Sequence, residues 1–282
     1  MNGEKRLIVA LGMHRSGTSA TIRGLGVLGV DLGSNFYPAR PDNPKGDWED
    51  REFHSLNEEL LQTLHHPWDD VAVIDTERVL ELSRGAFLGR AVTLINARLS
   101  RSALFGIKDP RFSLLLPFWK HAFAEAEVPV SFVVSFRNPL SVAESLARRD
   151  AFRKEKALRL WVMHNVRIIS ETAAGSPVVI DYDELLDNPS RELGRVAHLL
   201  GLTVEPAALA TYRSEFLDLA LRHTRFSADD IRTDPHCDPI VLEIYEELRV
   251  QASSSLPLDP ARWESRAGKW RRFLDGDVHL IH

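Results

Sequence analysis

One cysteine, Cys237, in 282 residues leaves no room for an internal disulfide framework or a thiolate metal cluster. No apolar run approaches the roughly 20 residues a membrane-spanning helix requires. The N-terminal MNGEKR leads into only five apolar residues, too few for a signal-peptide core, so the expectation is a cytoplasmic protein with no membrane span. Charge is close to balance: a formal net charge of −5 gives no global attraction to nucleic acid or anionic lipid, and nucleic acid is not an expected partner. His65-His66 and His236-Cys237 lack metal-ligand spacing, and no metal is expected. There is no internal repeat, heptad array or low-complexity tract.

What remains is an ordinary globular composition, 44% hydrophobic, enough for a sizeable core in one domain over residues 1–282. Four apolar runs read as buried strands: Leu7 to Leu11, Ala103 to Ile107, Val130 to Phe136 and Pro177 to Ile180. Amphipathic helical stretches separate them, one from about Phe53 and one from Glu155 to Thr172. Strands alternating with helices imply right-handed crossovers, and hence a three-layer α/β fold with a central parallel sheet. After Gly201 the pattern turns helical and reads as C-terminal additions to that domain. Residues 34–50, with Pro38, Pro41, Pro44 and Gly46, form the one long irregular stretch, and loops of that length are often functional.

The most informative segment is GMHRSGTS, Gly12 to Ser19, between the first apolar run and the helical Ala20, Ile22 and Leu25. Strand, glycine-bounded turn and helix N-terminus together make an anion site of the P-loop nucleotide-binding type. The nucleotide-triphosphatase form is G-x-x-x-x-G-K-[ST]; here Thr18 stands in the lysine position, and the cation sits inside the loop as Arg15. A second anion site is implied by SFRNPLSVAES, Ser135 to Ser145. Asn138 is a good N-cap and Pro139 suits the first helical turn, which leaves Arg137 at the carboxyl end of a strand, where open α/β sheets bind ligands. A carboxylate there would suggest Mg²⁺; the chain has an arginine.

Two phosphate sites on one crevice fit a nucleotide phosphorylated at both its 5′ and 3′ ends. On these residues the chain resembles the sulfotransferases that use 3′-phosphoadenosine 5′-phosphosulfate. The resemblance implies that His14, Arg15, Ser16, Gly17, Thr18 and Ser19 cradle the 5′-phosphosulfate, with no separate task for His14. It further implies that Arg137 and Ser145, eight residues apart, hold the 3′-phosphate. YDELLDNP, with Tyr182, resembles the family's tyrosine-bearing stretch near the nucleotide. RAGKW, with Arg266 and Gly268, resembles its C-terminal basic-glycine loop over the 3′-phosphate.

GIKDPR, Gly106 to Arg111, is similar to the lysine-bearing strand end of tyrosylprotein and bacterial members, and implies that Lys108 and Arg15 stabilise charge on the transferring group. Lys108 otherwise reads as a partner of Asp109 or of a glutamate at the sheet edge. The histidine base of the cytosolic phenol-sulfating members is replaced here by Pro110. Some relatives use a glutamate after the first helix, which points to Glu49, with Asp50, Asp109 and His54 as competitors. Arg148, Arg149, Arg153, Lys154, Lys156 and Arg159 read as a solvated helix face or as a surface for an anionic acceptor. Trp48 and Trp68 read as cleft wall or as packing.

The function expected is transfer of a sulfuryl group from 3′-phosphoadenosine 5′-phosphosulfate to a hydroxyl or amine of a small-molecule, glycan or peptide acceptor. One alternative is a Mg²⁺-dependent P-loop kinase or nucleotidase, opposed by Thr18 and Arg137; the other is a non-catalytic nucleotide-binding module, in which the loops persist with no base in place.

Overall fold

The computed structural model describes residues 5–40 and 43–276. Its first half runs β1 (Arg6–Leu11), α1 (Thr18–Val27), α2 (Arg51–Thr63), α3 (Thr76–Glu81), α4 (Ala86–Leu99), β2 (Leu104–Lys108), α5 (Phe112–Glu125) and β3 (Val130–Phe136). There follow α6 (Pro139–Asp150), α7 (Lys154–Thr172), β4 (Val178–Asp181), α8 (Tyr182–Asp187), α9 (Pro189–Leu200) and α10 (Pro206–Thr211). The chain then runs through α11 (Ala228–Thr233), α12 (Pro239–Ser253) and α13 (Pro260–Gly276).

The four strands form one parallel sheet in the order β2-β1-β3-β4. Each apolar run became a strand because both of its faces are covered. Along β1, Leu7, Val9 and Leu11 enter the core shared with α2, α4, α5 and α7, while Ile8 and Ala10 enter the core shared with α1 and α9. All five are fully buried, and burial of one such aliphatic side chain contributes about 1.5–3 kcal/mol. The result is the three-layer α/β arrangement, helices on both faces of a central sheet. Pro177 stays just outside β4, consistent with its missing N–H, and β2 runs one residue further than the apolar run, ending at Lys108.

Topology places the functional end. Adjacent strands β1 and β3 send their helices to opposite faces: α1 packs with Ile8, and α6 packs through Leu140, Val142 and Leu146 with Leu11. A crevice opens between two such departing chains at the carboxyl edge of a parallel sheet. The carboxyl ends of all four strands, Leu11, Lys108, Phe136 and Asp181, lie at that edge. Of the irregular stretch, residues 34–40 and 43–50 carry isolated bridges, Phe36 to Asp50 and Arg40 to Asn43, and fold back toward that edge. No described helix is long and apolar enough to cross a membrane.

One sequence expectation fails in the fold. RAGKW lies inside α13, not in a loop. Trp263, Ala267, Trp270 and Leu274 recur at helical spacing and are buried, so the apolar face of α13 docks on the body of the domain and fixes the segment as helix.

Candidate active site at the carboxyl edge of the sheet

The glycine loop owes its shape to two close approaches. A Cβ at Gly17 would lie 2.1 Å from Cδ2 of Tyr182, and Gly17 has φ +83, so both ring contact and backbone angle demand glycine. A Cβ at Gly12 would lie 2.4 Å from the Ser135 carbonyl oxygen. Between them Arg15 adopts φ +67, a left-handed conformation that a non-glycine residue holds only under surrounding constraint. Gly17 caps α1 without a side chain, whereas Asp50, Asn138 and Asp181 cap α2, α6 and α8 through their side chains. The first-turn N–H groups of α1 therefore have no capping side chain and suit an anion.

Around this loop lies an open cleft with a cavity volume of about 160 Å³. His14, Arg15, Gly17, Thr18, Ser19, Glu49, Lys108, Arg137, Ser145 and Tyr182 all line it. Ser16 does not: it is buried beneath the loop, and its carbonyl accepts from Ser135 Oγ at 2.8 Å. Six lysines and arginines line the cleft against three carboxylates, a local positive field in a chain of net charge −5.

At one end, Lys108 Nζ donates to Glu49 Oε1 and to the Asp47 carbonyl, both at 2.8 Å, and Ser19 Oγ donates to the same carbonyl at 3.0 Å. Glu49 Oε2 lies 3.6 Å from Arg111 and 3.9 Å from His54 Nε2. Burial pushes the Glu49 carboxyl above its ordinary range, against the pull of Lys108 and Arg111. The competitors for the base are placed elsewhere. Asp50 caps α2 and takes both nitrogens of Arg98, at 2.8 and 2.9 Å. Asp109, rather than pairing with Lys108, accepts from Asn57 and from Arg111 side chain and backbone. Neither lines the cleft; His54 touches it only through Glu49.

At the other end, Asn138 caps α6 by accepting from Leu140 N–H at 3.0 Å, as its sequence position predicts. Ser145, two turns along α6, accepts from Arg15 Nε at 2.8 Å, which ties the glycine loop to this second site. Arg137 is 6% exposed, its guanidinium carbon 5.0 Å from the centroid of Tyr182. One of its nitrogens donates to the Thr224 carbonyl at 3.1 Å, while Nε is buried without a partner. Burial lowers the Arg137 pKa from its usual value, yet a guanidinium keeps its charge. A buried cation with an unmet donor is what a phosphate oxygen would satisfy.

His14 packs its ring 4.0 Å from that of Trp68, with Nε2 buried and unpartnered. Burial, then the charges of Arg111 and Arg149, hold its pKa well below the ordinary value, so the ring is neutral at physiological pH. Trp68 backs His14, and Trp48 packs between Phe36 and Phe216 with Arg23 over its ring; neither lines the cleft.

Two further expectations change. Arg266 pairs with Glu243 at 3.2 Å and Glu247 at 3.8 Å on α12, and Gly268 is a helical residue; neither reaches the cleft. Arg148 and Arg149, read as part of a solvated face, line the cleft one turn beyond Ser145. Sequence reasoning also passed over Asn43, Lys45 and Asp47, although the proline-rich stretch that holds them was marked as functional. The segment around Leu217 and His223 carried no signal at all.

No family model matches the chain, and neither does any curated protein. Among solved structures it is similar to the sulfotransferase domain of the Synechococcus PCC 7002 olefin synthase, at 18% identity over 94% of each chain, with a TM-score of 0.46. It is also similar to sulfotransferase STF1 from Mycobacterium tuberculosis H37Rv, at 14% identity over 87% of this chain and 77% of that one, with a TM-score of 0.45. Likeness this loose says nothing of the cleft, whose reading rests on its own residues.

Proposed function

We propose that the chain is a sulfotransferase that moves a sulfuryl group from 3′-phosphoadenosine 5′-phosphosulfate to a hydroxyl or amine of an acceptor, in the cleft at the carboxyl edge of the sheet. The observation that carries the reading is the second cationic site: a buried Arg137 with an unmet Nε, lining the same cleft as Ser145, which bonds Arg15 of the glycine loop. A nucleoside 5′-triphosphate would leave that site unused. A donor with a separate 3′-phosphate uses both.

In this reading the donor supplies a sulfur atom bonded to a good leaving group, a phosphate oxygen. The first-turn N–H groups of α1, with the Thr18 and Ser19 hydroxyls, hold the 5′ end; Arg137 and Ser145 hold the 3′ end. The acceptor oxygen or nitrogen attacks sulfur, the sulfur–oxygen bond to phosphate breaks, and adenosine 3′,5′-bisphosphate leaves. Glu49, its carboxyl raised by burial, takes the acceptor's proton. Lys108, now held by Glu49 and the Asp47 carbonyl, turns its ammonium to the charge that grows on the leaving oxygen. Arg15 adds positive charge from within the loop. Thr18, where an ATP-binding loop has lysine, leaves no side chain to span β- and γ-phosphates.

Titration with adenosine 3′,5′-bisphosphate and with ADP tests the donor, and preference for the bisphosphate is expected. Equal affinity would sink the reading in favour of a kinase or a plain nucleotide-binding module. Labelled sulfuryl donor offered with alcohols, phenols, glycans, peptides and amines then identifies the acceptor by what becomes labelled.

A further inference from the structure

We propose that Trp48 is a positioning residue for the chemical end of the cleft: its left-handed backbone turns the Asp47 carbonyl and the Glu49 carboxylate onto one ammonium, that of Lys108. This rests on the roles given above to Lys108 and Glu49, and adds the residue that holds them together.

Trp48 has φ +59. A large aromatic residue in the left-handed region is an outlier, and such residues persist only where their surroundings hold them. The angle φ is rotation about the N–Cα bond of Trp48, and that bond stands between the Asp47 carbonyl and Glu49. Lys108 Nζ donates to both, at 2.8 Å each, so the angle at Trp48 decides whether one ammonium can reach the two. The Asp47 carboxylate is taken by Arg40 and Asn43, at 2.8 and 2.7 Å, which leaves the carbonyl to serve Lys108. Ser19 of the glycine loop donates to the same carbonyl at 3.0 Å. One turn therefore sets loop, lysine and base in register, and an ordinary negative φ at Trp48 would swing the carbonyl away from Glu49.

The hold on the turn is the indole. Its Nε1 donates to the Lys45 carbonyl at 2.6 Å, and its ring packs 5.1 Å from Phe36 and 6.0 Å from Phe216. The guanidinium carbon of Arg23, on α1, lies 4.2 Å from the ring centroid, an attraction that strengthens as the cation loses water. Arg23 Nε is buried without a hydrogen-bond partner, so the aromatic face is what this nitrogen's end of the guanidinium meets. Arg23 and Phe36 stand outside the cleft, and their grip reaches Lys108 through the Trp48 backbone.

The test compares Trp48→Ala with Trp48→Gly. Both delete the ring, but only glycine enters the left-handed region without strain. Acetylation of Lys108 by acetic anhydride, read by mass spectrometry against the exposed Lys120, follows the arrangement with neither donor nor acceptor present. In Trp48→Ala, Lys108 should acetylate about tenfold faster than in the wild type, because alanine bears the strain with no ring to hold it, while Trp48→Gly stays within about threefold. Turnover of labelled sulfuryl donor, with the acceptor that becomes labelled, should fall in the same order: about tenfold for alanine and less than about threefold for glycine. Thermal midpoints should drop alike in the two, since the same ring is lost, and adenosine 3′,5′-bisphosphate affinity should stay within about twofold of wild type. Arg23→Met keeps the indole and its packing but removes the cation, and should raise Lys108 acetylation about threefold. Equal acetylation in the alanine and glycine variants, or none gained in Arg23→Met, would overturn the role of Trp48 and leave the donor reading to the preference for the bisphosphate over ADP. The expected order of acetylation in a chain that binds both nucleotides equally would keep the turn's hold on Lys108 and remove sulfuryl transfer from it.

Discussion

The two ends of the cleft are built on opposite electrostatic plans. At the Lys108–Glu49 end each charge already faces a countercharge: Lys108 is 2.8 Å from Glu49, and Arg111 lies between Glu49 and Asp109. At the Arg137–Ser145 end Arg15 bonds the Ser145 hydroxyl, the outer Arg148 and Arg149 pair with Glu144 and Asp150, and the buried Nε of Arg137 has no hydrogen-bond partner. The first plan suits charge that appears during a reaction, since a lysine and a carboxylate held together separate to serve the leaving group and the attacking atom. The second suits a ligand that arrives with its charge already formed. Chemistry should therefore fail when the first end is altered, and donor discrimination when the second is.

The largest effect is expected at Lys108. Lys108→Ala should lower kcat about a thousandfold, with adenosine 3′,5′-bisphosphate affinity nearly intact, because one preorganised charge at a developing anion is worth that order. A matching loss of nucleotide affinity would show Lys108 to be a donor anchor instead, and would erase the contrast between the ends. Glu49→Gln should lower kcat about a hundredfold and leave nucleotide binding unchanged. The wild-type pH–rate profile should also carry an acid limb above the ordinary glutamate range. Burial raises the Glu49 pKa, the base works only when ionised, and activity falls as pH drops through that raised value. The limb should vanish in Glu49→Gln. At the other end Arg137→Ala should cost the bisphosphate about 10–100-fold in affinity and adenosine 5′-monophosphate little.

Much of this contrast was readable in the sequence because it rests on local grammar. The strands announced themselves as apolar runs since both faces of β1 and β3 are buried, and Asn138-Pro139 fixed the start of α6 and with it the place of Arg137. The pairing of Lys108 with Glu49 was not readable, since 59 positions separate them and only the return of residues 34–50 to the sheet edge joins them. Which way Arg148 and Arg149 face depends on how α6 sits on the sheet. Residues 217–227 have no periodicity, and their course along the cleft is dictated by distant anchors at Lys45, Arg137 and Asp187. For RAGKW the signal was present and outvoted: Trp263, Ala267, Trp270 and Leu274 have helical spacing, and resemblance to a short loop motif hid it.

A smaller effect separates the support of the second site from its contacts. Asp181 caps α8, whose first residue is Tyr182, by accepting from Asp183 N–H at 2.9 Å. Burial raises its pKa to about 6, against that hydrogen bond. With the folded pKa above the unfolded one, its contribution to stability is full below about pH 4 and is lost as pH rises through about 6. Asp181→Asn keeps the capping oxygen and removes the buried charge. It should stabilise the fold at pH 8 by on the order of 2 kcal/mol and not at all at pH 3.5, read as thermal midpoints, with bisphosphate binding unaltered. Equal midpoints at pH 8 would mean that the carboxylate is solvated in the native state.

The smallest effect should come from Arg266, and it decides whether α13 takes part in the second site. Its guanidinium is 42% exposed and ion-paired with Glu243, a setting in which an exposed pair contributes about 0.2–1 kcal/mol. Arg266→Ala should therefore shift the thermal midpoint slightly and change bisphosphate affinity less than about twofold. A tenfold loss would bring α13 back to the nucleotide. The geometry opposes that outcome: Arg266 is bonded to Glu243 on the neighbouring helix and does not line the cleft.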